Sequence, residues 1–164
     1  MAQEEAFSQL VEAHQTSLLR MCYLHLQDRQ DAEDAVQETF IKAYRSMAAF
    51  RGESSEKTWL MRIAINVCRD MRRSNWFKYI SRHVTPELLP EEGTVITEDT
   101  LMLNMCIMAM PAKWREVVLL YYYQGLTMTQ TAQALGLAQS TVSSRLKQAR
   151  ACLREHLKGG YFDE

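Results

Sequence analysis

Trp59, Arg62, Asn66, Arg69 and Arg73 recur at steps of three or four in the stretch TWLMRIAINVCRDMRR, so on a helix they share one face. Guanidiniums bind phosphates and stack on bases, an aromatic ring supports an unstacked base, and an amide reads a base edge. The same pattern fits a solvated basic helix with Trp59 turned into the core; taken alone, the stretch weighs the two evenly. Nearer the C-terminus, TMTQTAQALGLAQSTVSSRLKQARACL reads as a short helix, a turn around Gly136 and a longer helix. That is the helix-turn-helix arrangement. Ala132 is small where the two helices must cross, and Val142 and Leu146 hold the second onto the first. Left facing outward are Gln139, Ser140, Thr141, Ser143, Ser144, Arg145, Lys147, Gln148 and Arg150. Their chemistry suits duplex DNA: Gln for adenine, Arg for guanine, hydroxyls and cations for phosphates. A third stretch, DAEDAVQETF, puts Asp31, Asp34 and Glu38 on one face with Gln37 beside them. Asp34 and Glu38 are like charges at i, i+4, which costs an isolated helix a few tenths of a kcal/mol. A basic protein partner would relieve that repulsion, although helix-dipole stabilisation and solubility account for the stretch better when it is read by itself.

The elements that must carry these side chains follow from the apolar periodicity. Phe7, Leu10, Val11, His14, Leu18, Cys22 and His25 predict one amphipathic helix from about Glu4 to Leu26. A second runs from about Asp31 to Met47, burying Val36, Phe40, Ala43, Tyr44 and Met47. FRGESSEK is a loop by composition, with Gly52 free to take positive φ and Ser54 or Ser55 available as an N-cap. A third helix spans about Lys57 to Arg73. Helix returns at about Leu101–Ala109, and Pro111 suits the first position of the next, which ends before Gly125. Thr127 and Gln130 form a capping box opening a short helix to Leu135, Gly136 stops it, and Ser140 caps the last helix. No segment alternates with period two. The expected fold is all-α: two small helical domains, residues 1–76 and 101–160, joined by a flexible linker over 77–100, the second domain containing the helix-turn-helix.

The net charge of −1 argues against a general polyanion binder, yet the charge is unevenly placed. Residues 51–84 carry +5 and residues 111–164 carry +3, while residues 1–50 carry −4 and residues 85–110 carry −5. Local nucleic-acid binding is therefore compatible with the bulk value. Cys22, Cys68, Cys106 and Cys152 form no C-x-x-C pair and read as reduced, mostly buried small hydrophobes. Cys22, His25 and His14 could share a helix face, but their positions belong to the core stripe, so no metal site is expected. No apolar run approaches the ~20 residues of a membrane span and no signal peptide is evident, so a cytoplasmic protein is expected. With no nucleophile–base pair, phosphate-binding glycine loop or ligand cluster, neither catalytic residues nor a cofactor are expected.

In order along the chain, DAEDAVQETFIKAYRSMAAFRGESSEKTWLMRIAINVCRDMRR and MPAKWREVVLLYYYQGLTMTQTAQALGLAQSTVSSRLKQARACLRE resemble the bacterial RNA polymerase sigma factors of the extracytoplasmic-function (ECF) group over nearly the full length. The resemblance implies a dissociable subunit that binds core RNA polymerase and directs it to promoter DNA. It assigns Asp31, Asp34, Gln37 and Glu38 to the clamp helices of the polymerase. It assigns Phe50, Arg51, Gly52, Ser54, Ile63 and Asn66 to a base flipped from the minus-ten element, with Trp59, Arg62, Arg69 and Arg73 in support. The helix-turn-helix would read the minus-thirty-five element, and an anti-sigma factor is an expected further partner. Many relatives have Gly-Thr-Val where Ser140, Thr141 and Val142 stand, a cation at Ser143 and Arg at Gln148. Fewer cations imply a shallower salt dependence, by about one unit per lost phosphate contact. The alternative is a stand-alone helix-turn-helix regulator that binds an operator as a dimer.

Overall fold

Capping residues and apolar stripes set where the helices begin and end. The computed structural model describes residues 2–74 and 98–157, and among these all regular structure is helical. The first group is α1 (Ala2–Leu26), α2 (Arg29–Ser46), a 3-10 turn (Met47–Ala49) and α3 (Glu56–Ser74). The second is α4 (Glu98–Ala109), α5 (Ala112–Val118), a π turn over Leu119–Tyr123, α6 (Met128–Leu135) and α7 (Gln139–Leu157). The expected linker falls mostly on residues 75–97, outside the described residues, and from Glu98 its last residues already belong to α4.

Local hydrogen bonds explain the boundaries. Asp28 caps α2, its Oδ1 accepting the Asp31 N–H at 2.9 Å. Ser55 Oγ accepts the Thr58 N–H at 3.1 Å at the start of α3. The expected capping box is present: Thr127 Oγ1 accepts the Gln130 N–H at 3.0 Å, and Gln130 Oε1 accepts the Thr127 N–H at 2.9 Å. Gly136 closes α6 at φ 67°, a left-handed conformation that favours glycine. One boundary differs from expectation. Ser140 is not the cap of α7 but lies inside its first turn, because the Ala138 carbonyl already accepts the Thr141 and Val142 N–H groups.

Leu10, Leu18, Cys22, Ala35, Phe40, Leu60, Ala64 and Val67 fill the space between α1, α2 and α3. Leu119, Leu120, Ala132, Leu135, Val142 and Leu146 do so between α5, the π turn, α6 and α7. Burying a side chain such as Leu146 contributes about 1.5–3 kcal/mol. Tyr44, expected in the α2 stripe, is instead 40% exposed, its ring edge-on to Phe7 at 5.0 Å. The two apolar groups merge into one continuous cluster, because α6 packs on α3 and α4 on α1.

Candidate nucleic-acid interface

The basic face of α3 is not uniform. Arg62, Asn66 and Arg73 are exposed, Ile63 and Trp59 are half-buried, and Arg69 is turned toward the second helical group. Trp59 stacks on Phe50 with centroids 4.8 Å apart and planes at 30°. Phe50 ends the 3-10 turn, and Gly52, at φ 74°, lets the loop double back beside α3. Loop and helix thus enclose a cavity of about 380 Å³ whose walls include Phe50, Arg51, Ser54, Trp59 and Arg62. Gln133, from the exposed face of α6, completes the lining. An aromatic wall with a cation on the rim is the environment that accepts an unstacked base.

Beside this cavity a buried polar cluster joins the two helical groups. Arg69 grips Glu116 with both donors, Nε to Oε2 at 2.8 Å and Nη2 to Oε1 at 3.0 Å. From α1, His25 Nε2 approaches the same Oε2 at 3.3 Å. Burial would raise the Glu116 pKa, but the hydrogen bonds from His25 and Arg69, with the Arg69 charge, outweigh it and hold the carboxyl at about 2. Burial pushes the His25 imidazole below its usual value, so at neutral pH it is uncharged and donates through Nε2. Its Nδ1, buried without a partner, is then a bare acceptor, a smaller cost than an orphaned N–H. Arg115 sits next to Glu116 and donates to four carbonyls: Ile107 at 3.1 Å, His25 at 2.7 Å, Met108 at 3.1 Å and Met110 at 2.8 Å. Burial, then the Arg72 charge, lowers Arg115 to about 10, against the pull of Glu116; it stays charged at pH 7. Arg72 also donates to the His25 carbonyl, at 3.0 Å. Two guanidiniums therefore neutralise the carbonyl end of α1, where the helix dipole is negative.

Further along the seam, Lys57 Nζ donates to the Gln124 carbonyl at 2.5 Å and Gln124 Nε2 to the Ser17 carbonyl at 3.1 Å. The π turn places Gln124 there, since one extra residue per turn rotates it inward; it is 3% exposed. Gln27, at φ 64°, donates its side-chain amide to the Met108 carbonyl.

On α7, Gln139, Ser140, Ser143, Ser144, Lys147, Gln148 and Arg150 are exposed, and Thr141 and Arg145 half-buried. Val142, Leu146 and Ala149 are fully buried beneath them. Three of the outward residues are held from behind. Gln139 Nε2 donates to Thr129 Oγ1 at 2.9 Å, Trp114 Nε1 donates to Gln148 Oε1 at 3.0 Å, and Arg150 Nε donates to the Tyr122 hydroxyl at 2.6 Å. On α2, Asp34, Gln37 and Glu38 form an exposed face, with Gln30 Nε2 donating to Asp34 Oδ1 at 3.0 Å. Asp31 does not join them: it is 7% exposed, because the Asp28 cap winds the first turn so that Asp31 points inward.

Among the described residues, no group of three or more His, Cys, Asp or Glu could hold a metal ion, and no helix is long and apolar enough to cross a membrane. The Cys22 and Cys68 thiols lie 3.6 Å apart in the core, where His25 is committed to Glu116. The sequence placed His25 in the core stripe, where it is buried, but not its bond to Glu116, and it gave no role to Arg115, Glu116, Gln124 or Gln133. The available signal was Arg115–Glu116 itself, two adjacent opposite charges leading straight into the apolar run Val117–Leu120, a place where charges are buried only with partners.

Sigma-70 region 2 matches residues 10–78, and Sigma-70 region 4 matches residues 100–153. The chain is 32% identical over 163 residues to the ECF RNA polymerase sigma factor SigM of Mycobacterium tuberculosis, covering 96% of this chain and 79% of that one. It is 29% identical over 169 residues to the ECF RNA polymerase sigma factor SigW of Bacillus subtilis, covering 94% and 90%. In fold it is similar to the sigma factor RpoE of Bartonella quintana, solved with the anti-sigma factor NepR, at TM-score 0.82 and 24% identity over 96% of this chain and 99% of that one. It is also similar to CnrH, solved with the cytosolic domain of CnrY, at TM-score 0.73 and 25% identity over 96% and 91%. With both regions in order and a relative of that identity spanning nearly the whole chain, the protein belongs to the ECF family of RNA polymerase sigma factors.

Proposed function

We propose that this chain is the initiation subunit that carries core RNA polymerase to a set of promoters in the cytoplasm, opens them, and does no bond chemistry of its own. The observation that carries the reading is the cavity beside α3, with the Phe50–Trp59 stack in its wall and Arg62 on its rim. A base unpaired from the minus-ten element would enter it, gaining about 1–3 kcal/mol of stacking that offsets part of the unpairing cost. Arg51 and Ser54 line the entry; Gly52, Ile63 and Asn66 lie outside that lining, and Asn66 would reach a base edge, and Arg73 a phosphate, only beyond it. The outward residues of α7, from Gln139 through Arg150, would enter the major groove of the minus-thirty-five element. Asp34 and Glu38, with the neutral Gln37 beside them, would be the contact for the polymerase, while Asp31 is buried at the start of α2. Anti-sigma control is supported by the relative solved with NepR.

Run-off transcription with bacterial core polymerase on a pooled library of promoter-like DNA tests this directly. Protein-dependent transcripts sharing two upstream elements are expected, and Glu38→Arg should abolish polymerase association while keeping the helical circular dichroism. A wild-type protein that neither binds core polymerase nor starts transcripts would refute the reading.

A further inference from the structure

Gln148 is one of the outward side chains of α7, and it is held by Trp114, half-buried near the start of α5 where that helix packs on α7. The indole Nε1 donates to Gln148 Oε1 at 3.0 Å. An indole N–H only donates, so of the two ends of an amide it can hold only the oxygen. That leaves the Nε2 amino group, without a partner among the described residues, as the free end of an exposed side chain. Gln139 shows what the indole adds. Its Nε2 donates to Thr129 Oγ1 at 2.9 Å, but a hydroxyl donates as well as accepts, so Thr129 could hold that amide either way round. The Trp114 ring is itself fixed, packed on the apolar core with Lys113 Nζ 5.9 Å from its centroid.

We infer that Trp114 is a positioning residue for reading the upstream element: it fixes the Gln148 amide with the amino group outward, so that Gln148 selects guanine rather than adenine. The inference rests on the helix-turn-helix reading proposed above. A glutamine free to turn pairs with adenine by using both ends at once, Nε2 donating to N7 and Oε1 accepting from the N6 amino group. In this chain the oxygen already accepts from Trp114, and adenine would have to share it or pull it away. Turning the amide over would set an amino group against the indole N–H, donor against donor, and leave both without an acceptor. Guanine asks for donors alone, at N7 and O6, and the amino group supplies them with the Trp114 bond intact. The adenine that a glutamine suggests from sequence thereby becomes guanine. A phosphate oxygen is an acceptor too, but it carries no sequence information, so base preference separates the two contacts.

The test uses the full chain with bacterial core polymerase on a promoter library randomised through the upstream element, with run-off transcripts counted by sequence. The wild type should favour guanine over adenine on the order of tenfold at one position, the scale of a single base contact. Gln148→Ala should flatten that position. Trp114→Phe should bring guanine and adenine there to within about twofold while the other positions keep their preferences, whereas a loss of packing alone would weaken all positions together. The tether is also read without touching Trp114. In the isotope-labelled full chain, Gln148→Ala, at an exposed position, should shift one of the three indole N–H resonances. Three results would each overturn the tether: adenine favoured at the position that Gln148→Ala flattens, a folded Trp114→Phe that keeps the guanine preference, or indole resonances that Gln148→Ala leaves unmoved. Gln148→Ala without effect at any position, while Arg145→Ala still flattens another, would overturn the base contact of Gln148 and leave the helix-turn-helix reading standing. A holoenzyme indifferent to every upstream position would remove that reading, and the inference with it.

Discussion

The two surfaces assigned to DNA are built differently. The α7 face is convex, and its side chains stand on a buried stripe of Val142, Leu146 and Ala149. The α3 face is concave: a cavity closed by a loop, a stacked aromatic pair and a residue borrowed from the other domain. A duplex presents its base edges in an open groove, so a helix with the right side chains suffices to read it. An unpaired base must be surrounded to be held, so its reader needs walls from several parts of the chain. The same difference makes α3 the surface that a neighbouring domain can cover, and α7 the one that stays available.

Two arginines give the largest contrast. Arg115→Met removes a buried cation that four carbonyls depend on and leaves Glu116 with less charge around it; about 3–5 kcal/mol of stability should be lost in denaturant unfolding. Arg145→Ala, on the reading face, should leave the unfolding midpoint nearly unchanged and abolish selection at one position of the upstream element. Equal destabilisation by both would erase the distinction between seam and reading face.

Acid probes the seam without mutation. Glu116 has a folded pKa of about 2 against an ordinary 4.5, so the stability it contributes is complete above about pH 5 and is lost as pH falls from there toward 2. That shift corresponds to an order of 3 kcal/mol. His25, also lowered when folded, adds a loss that begins as pH drops below its ordinary 6.5, where the unfolded imidazole takes a proton that the buried one refuses. The groups facing this pair are Arg69, Arg72 and Cys68 of α3 and Arg115 of α5; the arginines stay cationic throughout and Cys68, its pKa raised by its Cys22 contact and burial, stays a neutral thiol. Denaturant midpoints should therefore fall steadily below pH 6 in the wild type, and Glu116→Gln should flatten the part below pH 5. An identical slope in that variant would remove Glu116 from the account.

Trp59→Ala should cost about 1–3 kcal/mol of base stacking, read as roughly a 5- to 150-fold loss of promoter opening in a permanganate footprint, with duplex binding of the upstream element unaffected. The smallest effect is expected from Ser143→Arg. It adds a cation to an exposed position of α7 and should steepen the salt dependence of holoenzyme binding by about one unit in log–log slope. A steeper change there than at Trp59 would reverse the ranking of the two surfaces.

What could be read without coordinates follows the range of the interactions involved. The capping box at Thr127 and Gln130, the Gly136 stop and the Ser55 cap each depend on residues within four positions, and the chain itself brings those partners together. The outward face of α7 was legible for the same reason, since 3.6-residue periodicity separates its buried stripe from its polar side. Ser140 and Asp31 were misplaced within such helices because a one-residue difference in where a cap sits rotates a side chain by about 100°. The joining of the α3 face to the second helical group belonged to tertiary structure alone. His25 and Glu116 are 91 positions apart, Arg69 and Glu116 are 47 apart, and no local rule links them. The sequence by itself determined the helices, their order and the chemistry of each face. Only the packing of α5 and α6 against α1 and α3 decided that a candidate DNA-binding arginine would be held by a carboxylate, because the energy of a buried ion pair exists only once both partners have left water together.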